Sequence, residues 1–75
     1  MKELVEVIAK ALVEHPDQVA VTETEREDSI LVELTVAPGD MGKVIGKSGK
    51  IAKAIRSVVK AASLDSGKKV IVEID

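Results

Sequence analysis

Seventy-five residues, 45% of them hydrophobic, make one small domain, and a chain of this size buries only about 60% of its unfolded surface. No cysteine and a single histidine argue against a disulfide, a thiolate nucleophile and a structural zinc site. The net charge of −2 speaks at first against a polyanionic partner, but the charge is unevenly spread.

In chain order, Leu4, Val5, Ile8, Ala11 and Leu12 recur at helical spacing, which predicts a first helix over residues 2–14. Pro16 stops it, because the residue before a proline avoids the helical region. Residues 18–26 alternate weakly, and Glu25 to Ser29 is a polar turn. Residues 30–36 alternate clearly, with Ile30, Val32, Leu34 and Val36 on one face. The two runs predict an antiparallel hairpin. Pro38 opens a short helix, where its missing N–H is harmless, and that helix ends at Gly46. Another helix is expected from about Ser48 to Ala62, with Ile51, Ala54, Ile55, Val58, Val59 and Ala62 facing inward and Asp65-Ser66-Gly67 breaking it. Val70, Val72 and Ile74 alternate with Ile71 and Glu73 in a last strand. Three strands with one apolar face need a cover, and three amphipathic helices supply it. The expected fold class is α+β, in the order α-β-β-α-GxxG-α-β, with a three-stranded sheet covered on one face by three helices and a single domain over residues 1–75.

Residues 1–40 hold ten acids and three bases, a balance of −7, whereas residues 41–75 hold eight bases and three acids, a balance of +5. From Met41 to Leu64 there are six bases and no acid. A polyanion meets the local field, not the total charge. Inside this run lies Val44-Ile45-Gly46-Lys47-Ser48-Gly49-Lys50-Ile51. A Gly-x-x-Gly turn lets another backbone approach closely, and its N–H groups beside a helix N-terminus suit a phosphate.

The run Gly46-Lys47-Ser48-Gly49, with Val44 and Ile45 before it and Ile51 to Arg56 after it, resembles the signature of the KH domain. The element order matches the type II form, in which a helix and two strands precede the signature. Over nearly its whole length the chain is similar to the bacterial KhpA family of small single-KH RNA-binding proteins. The resemblance implies single-stranded RNA clamped at the GxxG loop by its backbone, and a role as RNA chaperone or post-transcriptional regulator in the bacterial cytoplasm. It also implies self-association as a homodimer, or a heterodimer with a larger KhpB (Jag-like) KH-containing protein. The site residues it points to are Gly46, Lys47, Ser48 and Gly49, with Lys43, Lys50 and Lys53 as further backbone contacts. Ile45 and Ile51 are either aliphatic floor under the bases or core. Lys50, Lys53 and Lys60 share one helical stripe, which Arg56 can extend; Lys60, farthest from the loop, reads as a solvating residue.

Other readings are weaker. Gly42 to Ser48 imitates a phosphate-binding P-loop, but only three residues separate its glycines where four are needed. His15 at a helix end reads as a helix cap rather than a catalytic group. No enzyme, cofactor or metal is expected. The N-terminus lacks the long apolar run of a signal peptide and no stretch is long enough to span a membrane, so the expectation is a soluble cytoplasmic protein. With no Phe, Tyr or Trp, base stacking on rings, which contributes about 1–3 kcal/mol per base elsewhere, is excluded. Weak single-copy binding favours a second copy or partner. An exposed sheet edge or the small residues near Ala61, Ala62 and Leu64 would provide a surface. The competing reading is a protein-interaction or dimerisation module that uses the same fold without significant nucleic-acid binding.

Overall fold

The computed structural model describes residues 1–64 and 67–74. Helix α1 spans Lys2–Leu12, strands β1 and β2 span Ala20–Glu25 and Ser29–Thr35, helices α2 and α3 span Met41–Ile45 and Lys50–Ala62, and strand β3 spans Lys69–Ile74. Short 3-10 turns at Pro16–Gln18, Pro38–Asp40 and Lys47–Gly49 join them. The order of elements is the one the hydrophobic periodicity predicts. Of the expected helix breaker Asp65-Ser66-Gly67, only Gly67 lies within the described residues, at a positive φ of 70°.

Strand β2 is central. It runs antiparallel to β1, with Val21 opposite Leu34, and parallel to β3, with Val32 beside Val72. A parallel pair cannot be joined by a tight turn and needs a crossover. Here the crossover is α2, the glycine loop and α3. The loop therefore sits at the end of the sheet where β2 and β3 finish, and α3 returns antiparallel to β3.

The alternate residues Ile30, Val32 and Leu34 of β2 face the helices and are buried. They meet Val5 and Ala9 of α1, Val44 of α2, and Ile55 and Val59 of α3 in one core. Two inward faces differ from expectation. On α1, Ala9 is buried and Ala11 exposed, because Ala9 lies four residues after Val5 on the same stripe. On α3, Ala52, Ile55 and Val59 form the stripe against the sheet, while Ala54 and Ala62 are exposed and Val58 is 46% exposed. Val58 is thus not a core residue. Its stripe is rotated toward α1, where Ile8, Leu12, Ile51, Ala54 and Val58 line an open, almost wholly apolar groove.

Asp40 is the buried charge among the described residues. Its two carboxylate oxygens accept the backbone N–H groups of Glu14 (3.2 Å) and His15 (3.0 Å). The segment that leaves α1 is thereby tied to the start of α2. The backbone N–H of His15 makes this contact, and the residue itself is exposed.

Candidate nucleic-acid interface

The loop begins where α2 ends, with the Gly46 N–H donating to the Gly42 carbonyl at 2.8 Å. Gly46 has φ 74° and ψ 175°, a region open essentially to glycine alone. A Cβ there would also lie 2.6 Å from Ile51 Cγ1 and 2.9 Å from the Ile51 backbone nitrogen. Ser48 (φ 57°, ψ 27°) and Gly49 (φ 75°, ψ 14°) follow in the left-handed region. These two residues delay the start of α3 to Lys50, two residues later than the periodicity suggests. Nothing lies within 4 Å of a Cβ placed on Gly49, so that side of the loop is open. The Gly49 N–H turns back onto the Gly46 carbonyl at 3.2 Å. Lys47 and Ser48 are exposed.

The cations around the loop fall into distinct settings. Lys47, Lys50 and Lys53 are exposed and make no ion pair among the described residues. Lys43 differs: its ammonium donates to Glu14 Oε1 at 2.9 Å. That hydrogen bond and the charge of Glu14, with a smaller contribution from Asp40, raise its pKa above the ordinary lysine value.

The basic stripe expected on α3 is divided. Lys50 lines the apolar groove toward α1. On the opposite flank, Arg56 and Lys60 line a cleft of about 370 Å³ against β3, floored by Val70, Ile71 and Val72 and closed at one end by Lys69. Lys53, three residues after Lys50 and three before Arg56, lies between the two flanks and lines neither the groove nor the cleft. Arg56 bridges the cleft, its Nε–H donating to the Val72 carbonyl at 3.4 Å. Of the two isoleucines, Ile45 is 37% exposed at the end of α2, and Ile51 packs partly buried against the core and under Gly46. Aliphatic floor for the cleft comes from β3. Lys69 and that floor were not anticipated, since they lie some twenty residues from the loop in sequence and only the parallel pairing of β3 brings them to α3.

The family model described as "KhpA/KhpB, KH domain" matches residues 2–74. This chain belongs to the KhpA/KhpB KH-domain family. Among similar KhpA proteins, the RNA-binding protein KhpA of Clostridium perfringens is 65% identical over 74 residues, and that of Clostridium acetobutylicum 62% identical over 74 residues. Each alignment covers 99% of both chains. Among solved structures, Era of Aquifex aeolicus bound to GDP·AlF4− superimposes with a TM-score of 0.71 at 26% identity over 97% of this chain. Era in complex with MgGDPNP and nucleotides 1506–1542 of 16S ribosomal RNA gives the same values. The KhpA-like chain spans 28% of the length of those Era chains.

Proposed function

We propose that this KhpA-family chain is a non-enzymatic, cytoplasmic protein that binds single-stranded RNA through the loop Gly46-Lys47-Ser48-Gly49 and acts as an RNA chaperone or post-transcriptional regulator. The observation that carries the reading is the conformation of that loop. Left-handed Ser48 and Gly49, with Gly46 in a glycine-only region, hold Lys47 and Ser48 exposed ahead of α3, and Lys47 makes no ion pair among the described residues. That arrangement suits a phosphodiester. The relatives named RNA-binding protein KhpA, aligned end to end, support the same polymer. Lys47 and Lys53 are the principal side-chain contacts to the backbone. Lys50 and Lys43 flank the loop, the latter shared with Glu14, and Ile45 and Ile51 shape the surface around the glycines. Phosphate contacts position the strand and carry no base information, so sequence preference is loose.

Titration with a mixed-sequence single-stranded RNA pool at several salt concentrations tests the reading. Two to four phosphate contacts give a slope of log K against log salt of about −1.4 to −2.8. A flat response removes the loop and its lysines as a nucleic-acid site.

The apolar groove between α1 and α3 favours a second activity, pairing with another copy or with a KhpB-type KH protein. Leu64 near the end of α3 is 76% exposed, but the larger apolar surface is the groove, at about 360 Å³. Sedimentation equilibrium of the chain alone, and with a KhpB-type protein added, tests this; a strict monomer in both removes it.

A further inference from the structure

We propose that the uncovered face of the sheet is a docking surface for a basic amphipathic helix of a protein partner, held by the carboxylates of Glu33 and Glu73 beside the aliphatic row Leu31 and Ile71. This surface is separate from the glycine loop, and the inference does not depend on the RNA reading.

Strand alternation defines the face. Ile30, Val32 and Leu34 of β2 and Val72 of β3 belong to the core shared with the helices, so their neighbours along each strand point the other way. The parallel register sets Leu31 beside Ile71 and Glu33 beside Glu73, and the antiparallel register adds Thr24 and Thr22 to the same two rows. Leu31 and Ile71 are half-buried and stand outside the core; Ile71, on the edge strand, also borders the α3 cleft. The three helices supply the opposite side of the core, and Thr22, Thr24 and Glu73 are exposed.

The charges on this face are unbalanced. Neighbouring strands lie about 4.8 Å apart, so Glu33 and Glu73 form an adjacent pair of like charges, which repel. Other acids find cations: Glu6 pairs with Lys10, Glu14 with Lys43 and Glu25 with Lys68. Glu33 and Glu73 make no ion pair among the described residues. Lys69, on the same side of β3, is four residues from Glu73, about 13 Å along the strand. A polyanion is repelled here, whereas a cation set between the two carboxylates relieves their repulsion. The isolated fold gains nothing from the pair.

The dimensions select a helix. Three strands make a surface about 14 Å wide, and a helix with its side chains measures about 10–12 Å across, so one helix fills the face. Alternate strand residues are about 6.6 Å apart, and helix residues i and i+4 are about 6 Å apart along the axis. A helix lying along the strands therefore sets an aliphatic side chain on Leu31 and Ile71. Four residues on, an arginine or lysine falls between Glu33 and Glu73.

The probe is an alanine-based helical peptide of about fifteen residues, with leucine and arginine at i and i+4 on one face. A control peptide has the same composition with the two residue types on opposite faces. NMR titration of the protein should show the probe moving the amides of Leu31, Glu33, Ile71 and Glu73 and leaving those of Lys47 and Gly49 in place. The control should bind at least about tenfold more weakly. Glu33→Gln with Glu73→Gln should weaken the probe about tenfold and raise the urea midpoint of the free protein, because the repulsion is gone. Leu31→Thr, which keeps a residue suited to strands, should weaken the probe about threefold to tenfold. The proposal is overturned if probe and control bind alike, if the shifts fall outside this face, or if neither variant weakens the probe. A urea midpoint that falls in the double variant shows that the carboxylates serve the fold, and overturns it as well. If the same amides move when the parent alone is concentrated, the occupant is a second copy and a separate helix is ruled out.

Discussion

Gly46 and Ile51 are in contact at a point where no side chain can be inserted: a Cβ on Gly46 would sit 2.6 Å from Ile51 Cγ1 and 2.9 Å from the Ile51 backbone nitrogen. One obstacle is a side chain that can rotate, but the other is the first turn of α3, which cannot. The first glycine of the loop therefore serves the fold, whatever else it does.

The two glycines should consequently separate by mutation. Gly46→Ala forces both a glycine-only conformation and a backbone clash, and should destabilise the domain by about 2–3 kcal/mol. Gly49→Ala meets no neighbour and bears only the left-handed penalty of about 1–2 kcal/mol. Urea denaturation of both variants checks the order; equal losses would show that the close approach to Ile51 has no energetic weight.

Lys47 and Ser48 can be changed with the fold intact. Both are exposed, and aspartate is among the residues that tolerate the left-handed conformation found at Ser48. The double aspartate variant should keep its stability to within about 0.5 kcal/mol. Its affinity for single-stranded RNA should fall at least tenfold, because two carboxylates would then face the phosphates. A mobility-shift assay beside a denaturation curve reads both quantities. A folded variant that binds as well as the parent removes the GxxG assignment.

Asp40 should matter more to stability than any loop lysine. Removing its carboxylate by Asp40→Ala leaves the N–H groups of Glu14 and His15 without their acceptors, and a buried unsatisfied donor costs about 1–3 kcal/mol. The expected loss is about 2–4 kcal/mol after partial access of water to the two groups. Chemical denaturation measures it, and amide hydrogen exchange at residues 14 and 15 should accelerate with it.

The Lys43–Glu14 pair makes a prediction about pH. Glu14 raises the Lys43 pKa above the ordinary 10.5. The folded value lies above the unfolded one, so the stabilising contribution is complete below the unfolded pKa and is lost as pH rises through the folded pKa. That window is alkaline, and the pair is constant through neutral pH. Side-chain NMR of Lys43 should show its proton retained to higher pH than in Glu14→Gln. The same variant frees the ammonium and should raise RNA affinity about twofold to threefold, with little effect on stability because the pair is exposed.

Much of this was legible in the chain itself, for physical reasons. Alternation in β2 and three- and four-residue spacing in α3 are signatures of burial on one face, and the core follows them. The stripe containing Val58 misleads because α3 has two apolar flanks, one against the sheet and one turned toward α1, and a periodic count cannot tell a core face from an open groove. The loop glycines were readable because their spacing is local. Asp40 with Glu14, Glu14 with Lys43, and Lys60 with Lys69 were not, since each pair is created by the crossover between β2 and β3 or by the packing of α1 on it. Lys50 and Lys53 look equivalent as cations in one helix. They lie about 60° apart around the helix axis, and only Lys50 of the two lines the groove toward α1.

The crossover gives the loop one more property. The crossover that contains it runs from the central strand through α2 and α3 to the strand that completes the sheet, so the loop's surroundings belong to the folded domain. An RNA strand recognising those surroundings has nothing to hold on the unfolded chain. Occupancy and folding are then linked: at a free RNA concentration one hundred times Kd, the native state gains about 2.7 kcal/mol. For a 75-residue domain that corresponds to a rise in melting temperature of roughly 10–20 °C. The cellular supply of RNA would thus act as a chemical chaperone for the protein itself, and the thermal midpoint becomes a direct gauge of how much of the site is filled.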